Sequence, residues 1–245
     1  RWSLFDNLYI PNARARVEVI LEKNGWTWET PKVKREYLGL WCRDEESLVY
    51  PYLAERNDLE TLPGGIEWSY YLGLDLGHSP DPSAVVVWAE SVDYPALVAV
   101  EAFKKTEMIP SELAEKLHEF VGRYKRFAAM VGDSGGLGKM AIEEFKKRHG
   151  LPVQPAEKKH KYDYQQLMAD DFKTARIRVL VGAPGIGELT DEWNHLEWDP
   201  DKPGREKQGL PNHCADAALY SWRRAYHYQY QPPPDALPGE GTEAW

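Results

Sequence analysis

Cysteine is nearly missing from this chain: Cys42 and Cys214 are the only two in 245 residues, and they lie far apart. That excludes a disulfide framework and a cysteine-rich zinc module, and it makes a reducing compartment the simpler expectation. Long apolar runs are missing too. No stretch approaches the roughly 20 residues needed to cross a bilayer, and the opening RWSLFDNLYI has no basic head followed by an apolar segment. A soluble intracellular protein is expected, with no membrane partner. Positive charge is in deficit, since 30 Lys and Arg face 39 Asp and Glu for a net charge of −9. Any nucleic-acid surface must therefore be a local patch, because the molecule as a whole repels phosphates in dilute salt. Hydrophobic residues are in good supply, at 42%. That is enough for a substantial core, in one large domain or one domain with an appendage, and it excludes a wholly disordered chain.

Common catalytic signatures fail as well. GDSGGLGKM invites a phosphate-loop reading, but Gly132 comes one position too early and Met140 occupies the hydroxyl position after Lys139. YLGLDLG is no dinucleotide fingerprint, because GxGxxG is absent and the next element is a strand. Ser134 lacks a nucleophile elbow, and the histidines lack HExxH spacing.

Along the chain, residues 1–65 read as a linker or appendage, in which ARARVEVILEKNG predicts a short helix ended by Gly25 and LPGGIEW marks a boundary near Gly64 and Gly65. Residues 66–229 form the main domain. WSYYLGLDLG, SAVVVWAE and ALVAVEAFKK are three strands whose short connections favour an antiparallel meander. IPSELAEKLHEFVGRYKRF has Leu113, Leu117, Phe120, Val121 and Tyr124 at helical spacing, with Pro110 or Ser111 near its start. FAAMVGD is a buried strand ending at Asp133, KMAIEEFKKRHG a helix closed by Gly150, and LPVQPAE a short strand. A helix at YDYQQLMADDFKTARI, a strand at IRVLVG, a turn or short helix at GELTDEWNHL and an amphipathic last helix over about 213–228 complete the domain. The tail, 230–245, is rich in proline and glycine and is expected to be mobile or strap-like. The order predicts an α/β fold whose first three strands are antiparallel.

Three aspartates stand at element boundaries: Asp75 in YLGLDLG, Asp133 in MVGDSGG and Asp216 in HCADAALYSW. A lone aspartate at a strand end is ordinarily a turn or cap residue. If the strand ending at Asp133 lies beside the one ending at Asp75, however, both carboxylates meet at one sheet edge. Asp216, near a helix N-terminus, can then point back toward them. Carboxylate oxygens suit magnesium or manganese, and crowded carboxylates repel without cations. Two such ions about 4 Å apart activate water on one side of a phosphodiester and stabilise the leaving oxygen on the other. Metal-dependent phosphodiester cleavage is the leading expectation.

Around this core, His78 and Asp81 follow the first strand in LGHSPDPSA, where either could approach metal or phosphate and Asp81 before Pro82 is also a turn signal. Asn212 is a candidate helix cap, or a contact behind the metal ligands or to phosphate, and His213 could orient water or bind phosphate. The basic EKKHKYDY segment offers Lys158, Lys159, His160 and Lys161 for double-stranded DNA backbone, the bland alternative being a solvated helix entrance. Arg123, Lys125 and Arg126 read as capping or surface charge, and Arg223 and Arg224 as surface residues.

YYLGLDLGHSPDPSAVVV, AAMVGDSGGLG and NHCADAALYSWR together resemble the nuclease domain of the large terminase subunit of tailed bacteriophages, in the ribonuclease-H-like superfamily. The resemblance covers about Ile66 to Tyr228. Upstream, the leader with REYLGLW and LVY looks like the segment joining a terminase ATPase to its nuclease, so the chain looks like the nuclease side of a longer packaging motor. The resemblance implies a central mixed sheet with helices on both faces, and two Mg2+ or Mn2+ ions on Asp75, Asp133 and Asp216. It further implies cutting of concatemeric viral DNA in an infected bacterial cytoplasm, with a terminase small subunit and a procapsid portal as partners of the intact subunit. Cys214 stands where more polar residues are usual in the family. A junction-resolving or transposase-like nuclease of the same fold and a noncatalytic DNA-binding packaging module are the alternatives.

Overall fold

The computed structural model describes residues 3–7, 9–40, 45–77, 80–136 and 138–225. His78, Cys42 and the tail 230–245 lie outside the described residues. The chain divides into two units, Arg1–Leu48 and Val49–Trp245.

In the first unit, α1 (Ala13–Asn24) buries Val17 and Leu21 and stops at Gly25, as its sequence predicts. Gly25 takes φ of 65°, the left-handed conformation that closes a helix cheaply only in glycine. α2 (Pro31–Glu36), which the sequence reading did not anticipate, starts on a proline whose missing N–H has no helical partner to lose. Its Val33 joins Val17 and Leu21 in a small core against Leu4, Trp26, Trp28 and Tyr37.

The second unit runs α3 (Ala54–Asn57), β1 (Asp58–Leu59), β2 (Ser69–Asp75), β3 (Ser83–Glu90), β4 (Leu97–Lys105), α4 (Pro110–Tyr124), β5 (Phe127–Gly132), α5 (Gly138–His149), β6 (Val153–Pro155), α6 (Lys161–Lys173), β7 (Ile177–Leu180), α7 (Ile186–His195) and α8 (His213–Trp222). Seven strands form one sheet in the order β1-β7-β4-β3-β2-β5-β6. The β2–β3–β4 meander is antiparallel, as its short connections require, while β5 joins β2, β6 joins β5, and β7 joins β4 in parallel after helical crossovers. Every residue of β3 is buried, so the sheet is covered on both faces. Strict alternation divides the strand between them. Ala84, Val86 and Trp88 pack with Met168 and Phe172 of α6, Leu189 and Trp193 of α7, and α8. Val85, Val87 and Ala89 pack with Leu113, Leu117 and Phe120 of α4 and Ile142 and Phe145 of α5.

Residues 49–65, read from sequence as the end of the appendage, contribute to the second unit. Tyr50 and Tyr52 enter its core, β1 pairs with β7, and the fully buried Asn57 donates from Nδ2 to the carbonyls of Phe172 and Ile177 at 3.0 and 2.9 Å. Two residues of strand carry no periodicity, which is why β1 is invisible in the sequence. The last helix also differs from expectation. α8 is buried along almost its whole circumference, from Cys214 to Trp222, instead of being amphipathic. Its run of Ala215, Ala217 and Ala218 lets it lie against the sheet centre. No helix among the described residues is long and apolar enough to cross a membrane.

Candidate functional site

β2 and β5 are parallel neighbours with Leu74 opposite Gly132, so both release their chains at the same sheet edge. Asp75 is the last residue of β2, and Asp133 follows β5, its N–H donating to the Leu74 carbonyl at 3.0 Å. α8 completes the arrangement by extreme proximity to β2: a Cβ on Gly73 would fall 1.8 Å from the Ala217 carbonyl oxygen. Asp216, in the first turn of α8, lies near enough to Asp75 for the charge of Asp75 to act on it. The Tyr220 hydroxyl, one turn further along α8, is held well above its ordinary pKa by burial first and then by the charges of Asp216, Asp75 and Asp133 together.

Each carboxylate has a cationic or polar partner. Asp75, almost fully buried, accepts from His213 Nδ1 at 2.8 Å, which puts the proton on that nitrogen. This hydrogen bond raises the His213 pKa; burial opposes it, and the charges of Asp75, Glu192 and Asp81 add to it. Asp133 accepts from the Gly135 N–H at 2.7 Å through Oδ1 and from Lys158 Nζ at 2.9 Å through Oδ2. Asp216 is met by Lys161 Nζ, 2.6 Å from Oδ1 and 2.9 Å from Oδ2. Only the Oδ2 contact has hydrogen-bond geometry, and Oδ1 is buried with no hydrogen-bond donor. Burial drives the Asp216 pKa upward, with Glu206 and Asp75 adding to the effect and Lys161 opposing it. On Lys161, burial alone would lower the pKa, yet Asp216 and Glu206 outweigh it and keep the ammonium charged.

The basic segment is divided by this geometry. Lys158 and Lys161 face the site carboxylates, whereas Lys159 is exposed and His160 is exposed beside Asp163, at 3.5 Å. His160 adopts φ of 56° immediately before α6, a strained turn that starts the helix at Lys161. Asn212 occupies the N-cap position of α8 without capping it; its Nδ2 donates to Glu206 Oε2 at 2.7 Å. The helix end is served instead by the buried Glu192 of α7, which accepts from the Ala215 N–H at 2.9 Å and from Lys104 Nζ at 3.0 Å. Asp81 is exposed, and its backbone carbonyl lies close against Gly77, where a Cβ would be 2.5 Å away. Arg223 and Arg224, read as surface charge, brace the neighbouring segment. Arg223 Nη1 donates to the carbonyls of Glu157 and Lys159 at 2.5 and 3.2 Å and its guanidinium stacks 3.5 Å over Tyr164, while Arg224 donates to Gln154.

Glu206 is the residue that sequence reasoning missed. It accepts from Lys161 at 2.9 Å, Gln165 at 2.5 Å and Asn212, standing as a fourth acid behind Asp216. It lies in the polar segment GREKQG, which has no periodic signal. Tyr220 was not singled out either, although its place one turn after Asp216 could have flagged it.

Among the described residues, no group of three or more His, Cys, Asp or Glu is drawn close enough to hold a metal ion. The expected tight carboxylate cluster is thus absent among them: like charges repel, and here Asp133 pairs with Lys158, Asp216 with Lys161, and Asp75 accepts a hydrogen bond from His213. The donor chemistry nevertheless fits a hard divalent cation, being oxygen-only from three aspartates, with one buried oxygen of Asp216 lacking a hydrogen-bond donor.

Residues 72–223 match the family model described as the terminase RNaseH-like domain. No curated protein is matched. Among solved structures, the large terminase of the thermophilic bacteriophage D6E is similar at a TM-score of 0.61 and 19% identity, covering 91% of this chain and 54% of that one. The large terminase (g2p) nuclease domain of bacteriophage SPP1, solved with bound Mn, is similar at a TM-score of 0.52 and 21% identity over 64% of this chain and 86% of that one. The large terminase nuclease of the thermophilic phage G20c, solved with bound magnesium, gives 0.55 and 17% over 73% and 97%. The chain therefore spans about half the length of the D6E protein.

Proposed function

The chain belongs to the terminase RNaseH-like domain family, and on that premise we propose that it is a divalent-metal-dependent endodeoxyribonuclease of viral genome packaging. The observation that supports the reading is that Asp75 and Asp133 leave neighbouring parallel strands at the same end, with Asp216 near enough for the charge of Asp75 to act on it. In this reading the three aspartates hold magnesium or manganese. Two such ions supply the activated water and the stabilisation of the leaving oxygen that phosphodiester hydrolysis needs. His213 orients the Asp75 carboxylate through its 2.8 Å hydrogen bond. Lys159 and His160, exposed beside the site, supply backbone contacts to double-stranded DNA that carry little sequence information. Within a longer packaging protein this activity would act on concatemeric DNA beside a small subunit and a portal.

The test is cleavage of supercoiled and linear DNA by the chain with Mg2+, Mn2+ or excess chelator, alongside folded Asp75→Ala, Asp133→Ala and Asp216→Ala variants. Metal-dependent cutting lost in each variant is expected. Cutting at the parental rate by the variants would refute the site, and no cutting in any condition would favour a noncatalytic packaging module.

A further inference from the structure

Lys161 does more than border the site. Its ammonium lies within 2.9 Å of both Asp216 oxygens and of Glu206 Oε1. Glu206 is itself fixed by Gln165 and Asn212, so the second anchor of the ammonium is held in place. The side chain springs from the first residue of α6, where the left-handed His160 sets the start of the helix. It is about one-third exposed, leaving room to move. Lys158 on Asp133 is a looser counterpart, more exposed and held by a single carboxylate.

We propose that Lys161 is a built-in counter-cation on Asp216, and that a divalent ion must compete with it to bind. This rests on the reading of Asp216 as a metal ligand. An ammonium and a divalent cation on one carboxylate repel each other, so each weakens the other's hold on it. Lys161 therefore offsets part of the negative charge of Asp216 and Glu206, and by the same contacts it weakens metal affinity. The released ammonium keeps Glu206 as a partner on its flexible four-carbon stem.

Mn2+ affinity, measured by titration calorimetry on the full chain, tests this with Lys161→Met, Lys161→Gln and Asp216→Ala. Lys161→Met is expected to bind Mn2+ about tenfold more tightly, within the roughly 5–150-fold usual for coupled equilibria. It should also melt lower than the parent in chelator, with the difference shrinking in saturating Mn2+. A purely structural lysine would lower melting equally in both conditions and leave affinity unchanged, and that result overturns the proposal. Lys161→Gln, which keeps a polar chain without charge, gives the same readout should the methionine variant not fold. Parental Mn2+ binding that disappears in Asp216→Ala upholds the metal reading whatever Lys161 does. Binding unaffected in Asp216→Ala, or absent from every variant, overturns both.

Discussion

Gly73→Ala should be among the most damaging single-methyl additions in this protein. The added Cβ would sit 1.8 Å from the Ala217 carbonyl oxygen, 2.8 Å from its carbon and 2.4 Å from Ser221 Oγ. Contacts below 3.0 Å essentially never occur, so α8 must retreat from β2 by at least about 1.2 Å. The obstacle is helix backbone, which cannot swing aside, and the interface is fully buried. Overpacking of this kind costs about 3 kcal/mol, the upper part of its usual range, or roughly 6–12 °C in melting temperature for a chain of this size. Asp216 precedes Ala217 and moves with it, so the surviving folded protein should lose about 100-fold in the proposed metal-dependent cleavage, a cost that an ångström of misplacement can carry. Urea unfolding and melting measure the first effect, and cleavage by the folded fraction the second. Adding Ser221→Ala should give little relief, because the serine is not the main obstacle. Stability within about 0.5 kcal/mol of the parent, the scatter of ordinary surface changes, together with parental cleavage, would refute the packing argument.

Gly122→Ala is the opposite case: on α4 its Cβ meets nothing within 4 Å, so urea unfolding should show a gain of about 0.5–1 kcal/mol from helix propensity. Asn57→Ala should cost about 3 kcal/mol or more, since it removes the hydrogen bonds to Phe172 and Ile177 and leaves the Leu53 N–H, 2.9 Å from Asn57 Oδ1, without that acceptor; a loss under about 1 kcal/mol would mean water replaces the side chain. Arg223→Ala frees the carbonyls of Glu157 and Lys159, so amide exchange over residues 157–160 should quicken and DNA affinity fall severalfold, with unchanged exchange counting against the bracing role.

How much of this was legible beforehand depends on the range of the interaction. The strands of the meander, α4, α5 and α6 announce themselves through apolar periodicity, and α1 through Gly25, because those signals come from residues within a turn or two of one another. Asp75, Asp133 and Asp216 were legible as boundary residues in the same way. The burial of α8 was less so: small residues at 215, 217 and 218 read as the mild face of an amphipathic helix until Gly73 is seen beneath them. β1, two residues long, and α2, six residues long, are too short to carry a period.

The amino-acid sequence by itself determined the α/β element order from β2 onward, the antiparallel meander and the three acidic positions, all consequences of local periodicity and turn chemistry. Only the tertiary structure decided that β5 lies beside β2, that Glu192 rather than Asn212 serves the end of α8, and that Glu206 and Lys161 stand against Asp216. Those outcomes depend on which distant groups share the limited space at one sheet edge, where burial and charge neutralisation select partners that no sequence spacing records.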